Sequence, residues 1–258
     1  MNVWELLRLD GKVALVTGGS RGLGLQIATA LGEAGAAVAI TARREPGLAE
    51  AQEQLQAAGI RCLAVRCDVS EPTDVAPAVD RVVADLGGLD ILVNNAGATW
   101  GAPFDQISLE AWDKVIRTNI NGTFYVSRAA AQAMIAQGRG GRIVNVASIY
   151  GLRGADPEIL QSLPYNTSKG AVVNFTRDLA VKLAAHAITV NCICPGFFPT
   201  RMTAVTIEQQ ADRILASIPL HRLGGPDDLK GLAVLLASAG SSFITGQVIA
   251  VDGGATAW

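Results

Sequence analysis

The chain has 258 residues, half of them apolar, and 21 basic against 23 acidic side chains leave a formal net charge of −2. That balance excludes the basic footprint of a general nucleic-acid binder and offers nothing to an anionic membrane surface, and no run approaches the ~20 apolar residues of a membrane span. The start, "MNVWELLRLDGK", carries Glu5 and Asp10 where a secretory signal needs an apolar core, so a cytoplasmic protein is expected.

Short Val/Ile/Leu-rich runs alternate with helical patterns along the whole chain. The first predicted strand, 13–17, runs into "TGGSRGLG", and a helix of about 22–34 follows. Gly18, Gly22 and Gly24 lie where backbone must come close to a ligand, with Ser20, Arg21 and Leu23 completing the turn. Free N–H groups and the positive end of a helix dipole make such a turn an anion site suited to a pyrophosphate. The second strand, 36–41, ends in "AITARR". NAD-binding forms place a carboxylate there for the ribose 2′-OH, but Ala42 occupies that place, Arg43 follows it, and Arg21 supplies a second guanidinium. A guanidinium matches a phosphate, so NADP(H) is favoured over NAD(H).

A helix of about 48–58, a strand at 61–66 followed by "CDVS", and a helix at 73–86 come next. The strand at 89–93 ends in "NNAG" and leads to a long helix of about 109–137. The strand at 142–147 precedes "ASIYG", a helix at 165–185 opens on "YNTSK", and the strand at 188–193 precedes "CPGFFPT". Helices near 206–216 and 226–239 and a strand at 247–251 close the pattern. Repeated βα units with right-handed crossovers give a single doubly wound α/β domain over 1–258, a Rossmann fold with a seven-stranded parallel sheet and helices on both faces. Its cofactor half is about 1–147 and its catalytic and substrate half about 148–258. Every polar or Gly-rich cluster follows a strand, so all fall on the carboxyl edge of the sheet, where ligands bind.

The four cysteines, Cys62, Cys67, Cys192 and Cys194, lie on or beside apolar strand patterns, and His186 and His221 have no partner at ligand spacing. No metal site is expected. Tyr165 and Lys169 stand four residues apart, so on a helix they share one face; the spacing alone decides nothing.

The ordered set decides more. Thr17-Gly18-x-x-x-Gly22-x-Gly24, "NNAG" at 94–97, "TNI" around Asn119, Ser148, "YNTSK" and "PGFFPT" at 195–200 resemble the motifs of the short-chain dehydrogenase/reductase family. The resemblance runs from Lys12 to Gly254 and is strongest to the 3-oxoacyl reductase and gluconate 5-dehydrogenase branch, including "VDGG" near the C-terminus. It implies a catalytic tetrad of Asn119, Ser148, Tyr165 and Lys169. Tyr165 would exchange a proton with the substrate oxygen, its pKa lowered by the Lys169 cation; Ser148 would hydrogen-bond that oxygen; and Asn119 would hold a water linking Lys169 to solvent. It also implies Asp68 and Val69 at the adenine, Asn95, Ala96 and Gly97 beside the adenosine ribose, Lys169 at the nicotinamide ribose, and Thr200 and the backbone at Phe198 at the carboxamide, with Tyr165, Pro195 and Gly196 also among the cofactor-binding residues. A homotetramer is the expected assembly.

The chain departs from the family in the long stretch 149–164 between Ser148 and Tyr165, and in Gln132 and Val181, which stand where carrier-dependent reductases have basic residues. Trp100, Tyr150, Phe197 and Met202, with Ile149, Leu152, Ile159, Leu160 and Phe198, are expected to line the substrate site, which favours a ketone or 3-oxoacyl substrate. Arg153 and Arg201 on the same segments keep a sugar-acid or polyol dehydrogenase as the alternative. A non-catalytic NADP-binding regulator has no need of the complete tetrad, and an epimerase or dehydratase needs a larger lobe than the residues after Pro195 build.

Overall fold

The computed structural model describes residues 1–258. The chain opens on α1 (Val3–Leu7), a short helix that no apolar periodicity announces; Asn2 and Glu5 form its capping box. β1 (Val13–Thr17), α2 (Gly22–Glu33), β2 (Ala37–Ala42), α3 (Glu45–Ala57), β3 (Cys62–Arg66), α4 (Pro72–Leu86) and β4 (Ile91–Asn94) follow. Then come α5 (Leu109–Ile116), α6 (Gly122–Gln137), β5 (Gly141–Val146), α7 (Leu163–Leu183), β6 (Ile188–Pro195), α8 (Ala204–Ala216), α9 (Lys230–Ala237) and β7 (Val248–Val251).

The seven strands form one parallel sheet in the order β3-β2-β1-β4-β5-β6-β7. Strand order reverses between β1 and β4, whose register pairs Val16 with Val93, so the crevice at the carboxyl ends of those two strands is the ligand position of the fold. Each face of the sheet is covered. Ile27 and Leu31 of α2, Leu48 and Leu55 of α3, and Ala233 and Leu236 of α9 pack on one side. Val79 and Val82 of α4, Val126 and Met134 of α6, and Ala180 and Leu183 of α7 pack on the other. That double cover is why β1 and β6 are buried at every position and read as unbroken apolar runs.

The helix expected over 109–137 is broken in register, though not in direction. A π-helical turn, Arg117–Asn121, joins α5 to α6. The Thr118 hydroxyl donates to the Lys114 carbonyl at 2.9 Å and the Thr123 hydroxyl to the Asn119 carbonyl at 2.7 Å, which satisfies the carbonyls that the widened turn disturbs. The extra residue per turn buries Asn119 against the loop after β4.

Beneath the same edge runs a buried polar ladder. Asn94 donates to the Ser127 hydroxyl at 2.8 Å and to Asn145 Oδ1 at 2.9 Å, and Asn145 donates to the Thr176 hydroxyl at 2.9 Å. Asn94 and Asn145 face each other in the β4–β5 register, so the ladder ties α6, β4, β5 and α7 together.

Candidate active site

α2 starts at the carboxyl end of β1 with Arg21 as its N-cap and no side chain capping it. Its first N–H groups are therefore open to an anion. The space is kept clear by glycine. A Cβ on Gly18, which has φ +64°, would lie 2.9 Å from Ala96 Cα, and one on Gly24 would collide with the Gly18 carbonyl and the Asn95 amide. Gly22, at φ +54°, faces Thr200 across the turn. A pyrophosphate fits this cradle, and the residues around it fit a dinucleotide.

The Thr17 hydroxyl holds the two loops together. It accepts from the N–H groups of Asn95 and Ala96 at 3.0 and 3.1 Å. The Asn95 amide donates to the carbonyls of Thr17 and Gly18 at 3.0 and 3.2 Å. The Asn95 side chain is thus bonded to the glycine turn. At the end of β2, Arg43 lies 3.9 Å from the Asp68 carboxylate and stays largely exposed, while Asp68 accepts from Ser70 N and Oγ at 3.0 and 2.7 Å. Arg21 is exposed on the adjoining turn. Val69 is buried against Gly122, where a Cβ would meet its side chain at 2.8 Å, so Val69 also seats the start of α6.

Tyr165 and Lys169 lie in the first turns of α7 on one face, the ammonium 5.5 Å from the phenol ring centroid. Lys169 is buried and donates to the Val146 carbonyl, at the end of β5, at 2.7 Å. Burial pushes the Tyr165 hydroxyl up to about 12, against the pull of the Ser148 hydroxyl, and pushes Lys169 down to about 8. The net shift of Tyr165 is thus upward, set first by burial, and the Lys169 ammonium is aimed at a carbonyl. Ser148 begins a 3-10 turn, Ile149–Gly151, and its oxygen accepts from Tyr150 N at 3.2 Å.

Asn119 completes the tetrad. Its Oδ1 accepts from Ala98 N at 2.7 Å, and its Nδ2 donates to the Ala98 carbonyl at 2.9 Å and to Ser168 Oγ at 2.8 Å. Ser168 in turn donates to the Tyr165 carbonyl at 2.7 Å. The amide thus clamps the "NNAG" loop to the helix of Tyr165. Ser168 and Thr17 were not singled out as site residues, although both lie inside the motifs that were.

On the substrate side, Tyr150 and Phe197 meet edge to face, 6.0 Å between centroids, in an apolar cluster with Ile214 and Ile218. Ile159 and Leu160 pack against the same cluster, and the Phe198 ring presses on Gly224. Phe197, Phe198 and Ile218 also line a cavity of about 520 Å³. Trp100 and Met202 keep roughly half of their surface free, as does Leu152, and Lys114 sits over the Trp100 ring at 5.9 Å. Arg153 and Arg201 are exposed, and neither is in an ion pair, in contrast to Arg213, held by Glu158, and Arg222, held by Asp228.

A glycine-cradled anion site at a topological switch point, beside a buried Tyr–Lys pair with a serine hydroxyl, defines a dinucleotide-dependent oxidoreductase of the Rossmann type. A family model described as enoyl-(acyl carrier protein) reductase matches residues 18–256, and the chain belongs to this family of short-chain dehydrogenases/reductases, which act on alcohol and carbonyl groups. It is 40% identical to the gluconate 5-dehydrogenase of Gluconobacter oxydans, over 98% of this chain and 97% of that one. It is 38% identical to the 3-oxoacyl-[acyl-carrier-protein] reductase FabG of Aquifex aeolicus, over 96% and 98%. Among solved structures, a gluconate 5-dehydrogenase from Burkholderia cenocepacia in complex with NADP and tartrate superposes with a TM-score of 0.94 at 37% identity, covering 100% of both chains.

Proposed function

We propose that the protein is an NADP(H)-dependent oxidoreductase that interconverts a ketone and a secondary alcohol on a hydroxylated carboxylic acid of the sugar-acid class. The cofactor assignment is supported by Arg21 and Arg43 at the rim of the glycine turn, by Ala42 in place of an acid, and by the relative in complex with NADP. Gly18, Gly22, Leu23 and Gly24 would receive the pyrophosphate, Asp68 and Val69 the adenine, and Phe198 and Thr200 the carboxamide. The bound cofactor supplies the hydride.

The chain's own residues handle the proton and the oxygen. With its hydroxyl raised to about 12, Tyr165 is protonated at neutral pH and gives that proton to the substrate oxygen in reduction. Ser148, just beyond the end of β5, bonds the same oxygen and fixes its position. Lys169, lowered to about 8, lies under the tyrosine ring and changes charge close to working pH. Asn119 and Ser168 hold the helix register that brings these groups together.

The observation that carries the substrate class is the pair of free guanidiniums, Arg153 and Arg201, on the two segments that flank the tetrad; a carboxylate is their natural partner. A second reading, reduction of a 3-oxoacyl ester, is favoured by the half-free Trp100, Leu152 and Met202 and by the FabG relatives. A panel of 5-ketogluconate, 3-oxoacyl thioesters and plain ketones, followed by NADPH absorbance, separates them. The keto acid is expected to have the highest kcat/KM, and a tenfold advantage for the thioester would transfer the assignment.

The assembly proposed is a homotetramer, supported by exposed Phe124 and Ile135 on α6 and Val181 on α7, and by Leu220, Phe243 and Trp258 near the free edge strand β7. No helix is long and apolar enough to cross a membrane. Four free buried cysteines support a reducing, cytoplasmic compartment.

A further inference from the structure

We infer that the stretch 156–162 is a strap joining the two walls of the substrate mouth, so that α8 and the loop carrying Trp100 open and close together, with the Glu158–Arg213 ion pair as its releasable link.

The chain leaves Ser148 and returns at Tyr165, so the stretch between them stands beside the tetrad. Asp156 builds a turn there that is bonded within itself. Its carboxylate accepts from Glu158 N at 2.9 Å, and its carbonyl accepts from Ile159 N and Leu160 N at 3.0 and 2.9 Å. At the α7 end Ser162 is buried, and its hydroxyl bonds Asn166 Oδ1 at 3.2 Å. The strap is therefore a formed piece of chain anchored to the helix of Tyr165.

From that turn it reaches both ways. Toward α8, Ile159 and Leu160 join the apolar cluster of Ile207 and Ile214, and Glu158 pairs with Arg213. Toward the loop after β4, the Gln161 carbonyl accepts from Ala102 N at 2.9 Å, and a Cβ on Gly101 would stand 3.4 Å from the same oxygen. Trp100 is the next residue back along that loop.

α8 itself is weakly held. Ile214 is its one buried residue, its helical geometry breaks at Gln210 (φ −130°, ψ 23°), and it makes no more than marginal contact with any strand or other helix. Its apolar cluster is separate from the two cores on the faces of the sheet. Segments with so little burial open locally at low cost. When α8 moves, Glu158 and Ile159 are drawn with it, and the bonded turn passes the pull to Gln161 and so to Ala102. Both members of the ion pair are largely exposed, which makes it a weak, salt-sensitive link.

Hydrogen exchange on the whole protein, read by mass spectrometry, tests this without any ligand. In Glu158→Gln at about 0.05 M salt, the amides of α8 and the Ala102 amide should exchange faster together, by about two- to fivefold, as suits the loss of one exposed ion pair, while those of α6 keep their rates. Raising the wild type to about 1 M salt should reproduce the change and add nothing further in Glu158→Gln. Reversing the pair, with Glu158→Arg and Arg213→Glu in one chain, should restore the low-salt rates. Faster exchange in α8 with Ala102 unchanged overturns the strap. Rates that respond to neither the variant nor salt overturn the link, and the wild-type salt arm needs no variant to fold. Equal acceleration in α6 reports a general loss of stability and overturns the inference as well.

Discussion

Lys169 carries a charge where little water reaches it, and that has a stability consequence. Its folded pKa of about 8 lies below the ordinary 10.5, so between those values the unfolded chain keeps a proton that the folded chain has released, and stability rises with pH across that window. Tyr165 acts oppositely: with 10 raised to about 12, the folded chain keeps the proton that the unfolded one loses, and stability falls from pH 10 to 12. Lys169→Met should therefore be more stable than the wild type at pH 7, on the order of 2 kcal/mol, because burying the charge costs more than its bond to the Val146 carbonyl returns. Urea unfolding at pH 7 and pH 10 checks this: the gain should be present at the lower pH and largely gone at the higher, with turnover abolished at both. A variant less stable at pH 7 would show that the ammonium is a net structural asset. Tyr165→Phe removes only the proton donor, so kcat should fall by about 10³ or more while NADPH affinity stays within a few-fold. The i, i+4 spacing put this pair on one helix face, and the ordered set of motifs around it, more than the spacing, made it legible in the sequence. What Asn119 touches was not legible, because it depends on a π-helical turn that no local pattern signals.

Two glycines show how an element's surroundings decide the sign of a substitution. Gly24 opens α2 against β1, and a methyl there would meet the Gly18 carbonyl and an Asn95 amide already committed to two carbonyls; neither has room to move. Gly24→Ala should cost about 2 kcal/mol and abolish binding of 2′,5′-ADP, as measured by urea unfolding and calorimetry. Retained binding would mean that the turn is less tightly determined than its contacts require. Gly47 lies in the first turn of α3 with open space around it. Gly47→Ala should stabilise by about 0.5–1 kcal/mol, because it restricts the unfolded chain and adds helix propensity. The strands were legible nearly to the residue, since burial on both faces writes itself as an apolar run and glycine-rich turns mark the ends. The substrate wall was not. Ile159 and Leu160 read as pocket lining from their place in the long stretch after Ser148, but they pack against the cluster of Ile214 and Ile218, while Glu158 in the same stretch pairs with Arg213 of α8. Which way an apolar side chain faces in an irregular segment depends on a helix some fifty residues later, and periodicity carries no such information.

Across the whole molecule, two sets among the apolar side chains left outside bear on assembly. Phe124 on α6 and Val181 on α7 are 45% and 79% exposed, and Leu220, Phe243 and Trp258 accompany β7, which ends the sheet with an unpaired edge. An exposed strand edge and large exposed apolar groups are both liabilities in a free monomer. In the homotetramer proposed above, self-association through each group about its own two-fold axis would cover both, since two such interfaces on one chain close into four copies. The two interfaces are separable by mutation. Val181 stands in the last turns of α7, far along the helix from Tyr165 and Lys169. Val181→Glu should therefore convert a tetramer into dimers joined through the β7 side, with 2′,5′-ADP affinity within about twofold of the wild type because no residue of the glycine turn has moved. Light scattering at micromolar concentration reads the mass directly. A wild type that runs as a monomer, or a Val181→Glu protein that remains tetrameric, would remove the helical interface from the assembly and leave those side chains to another partner.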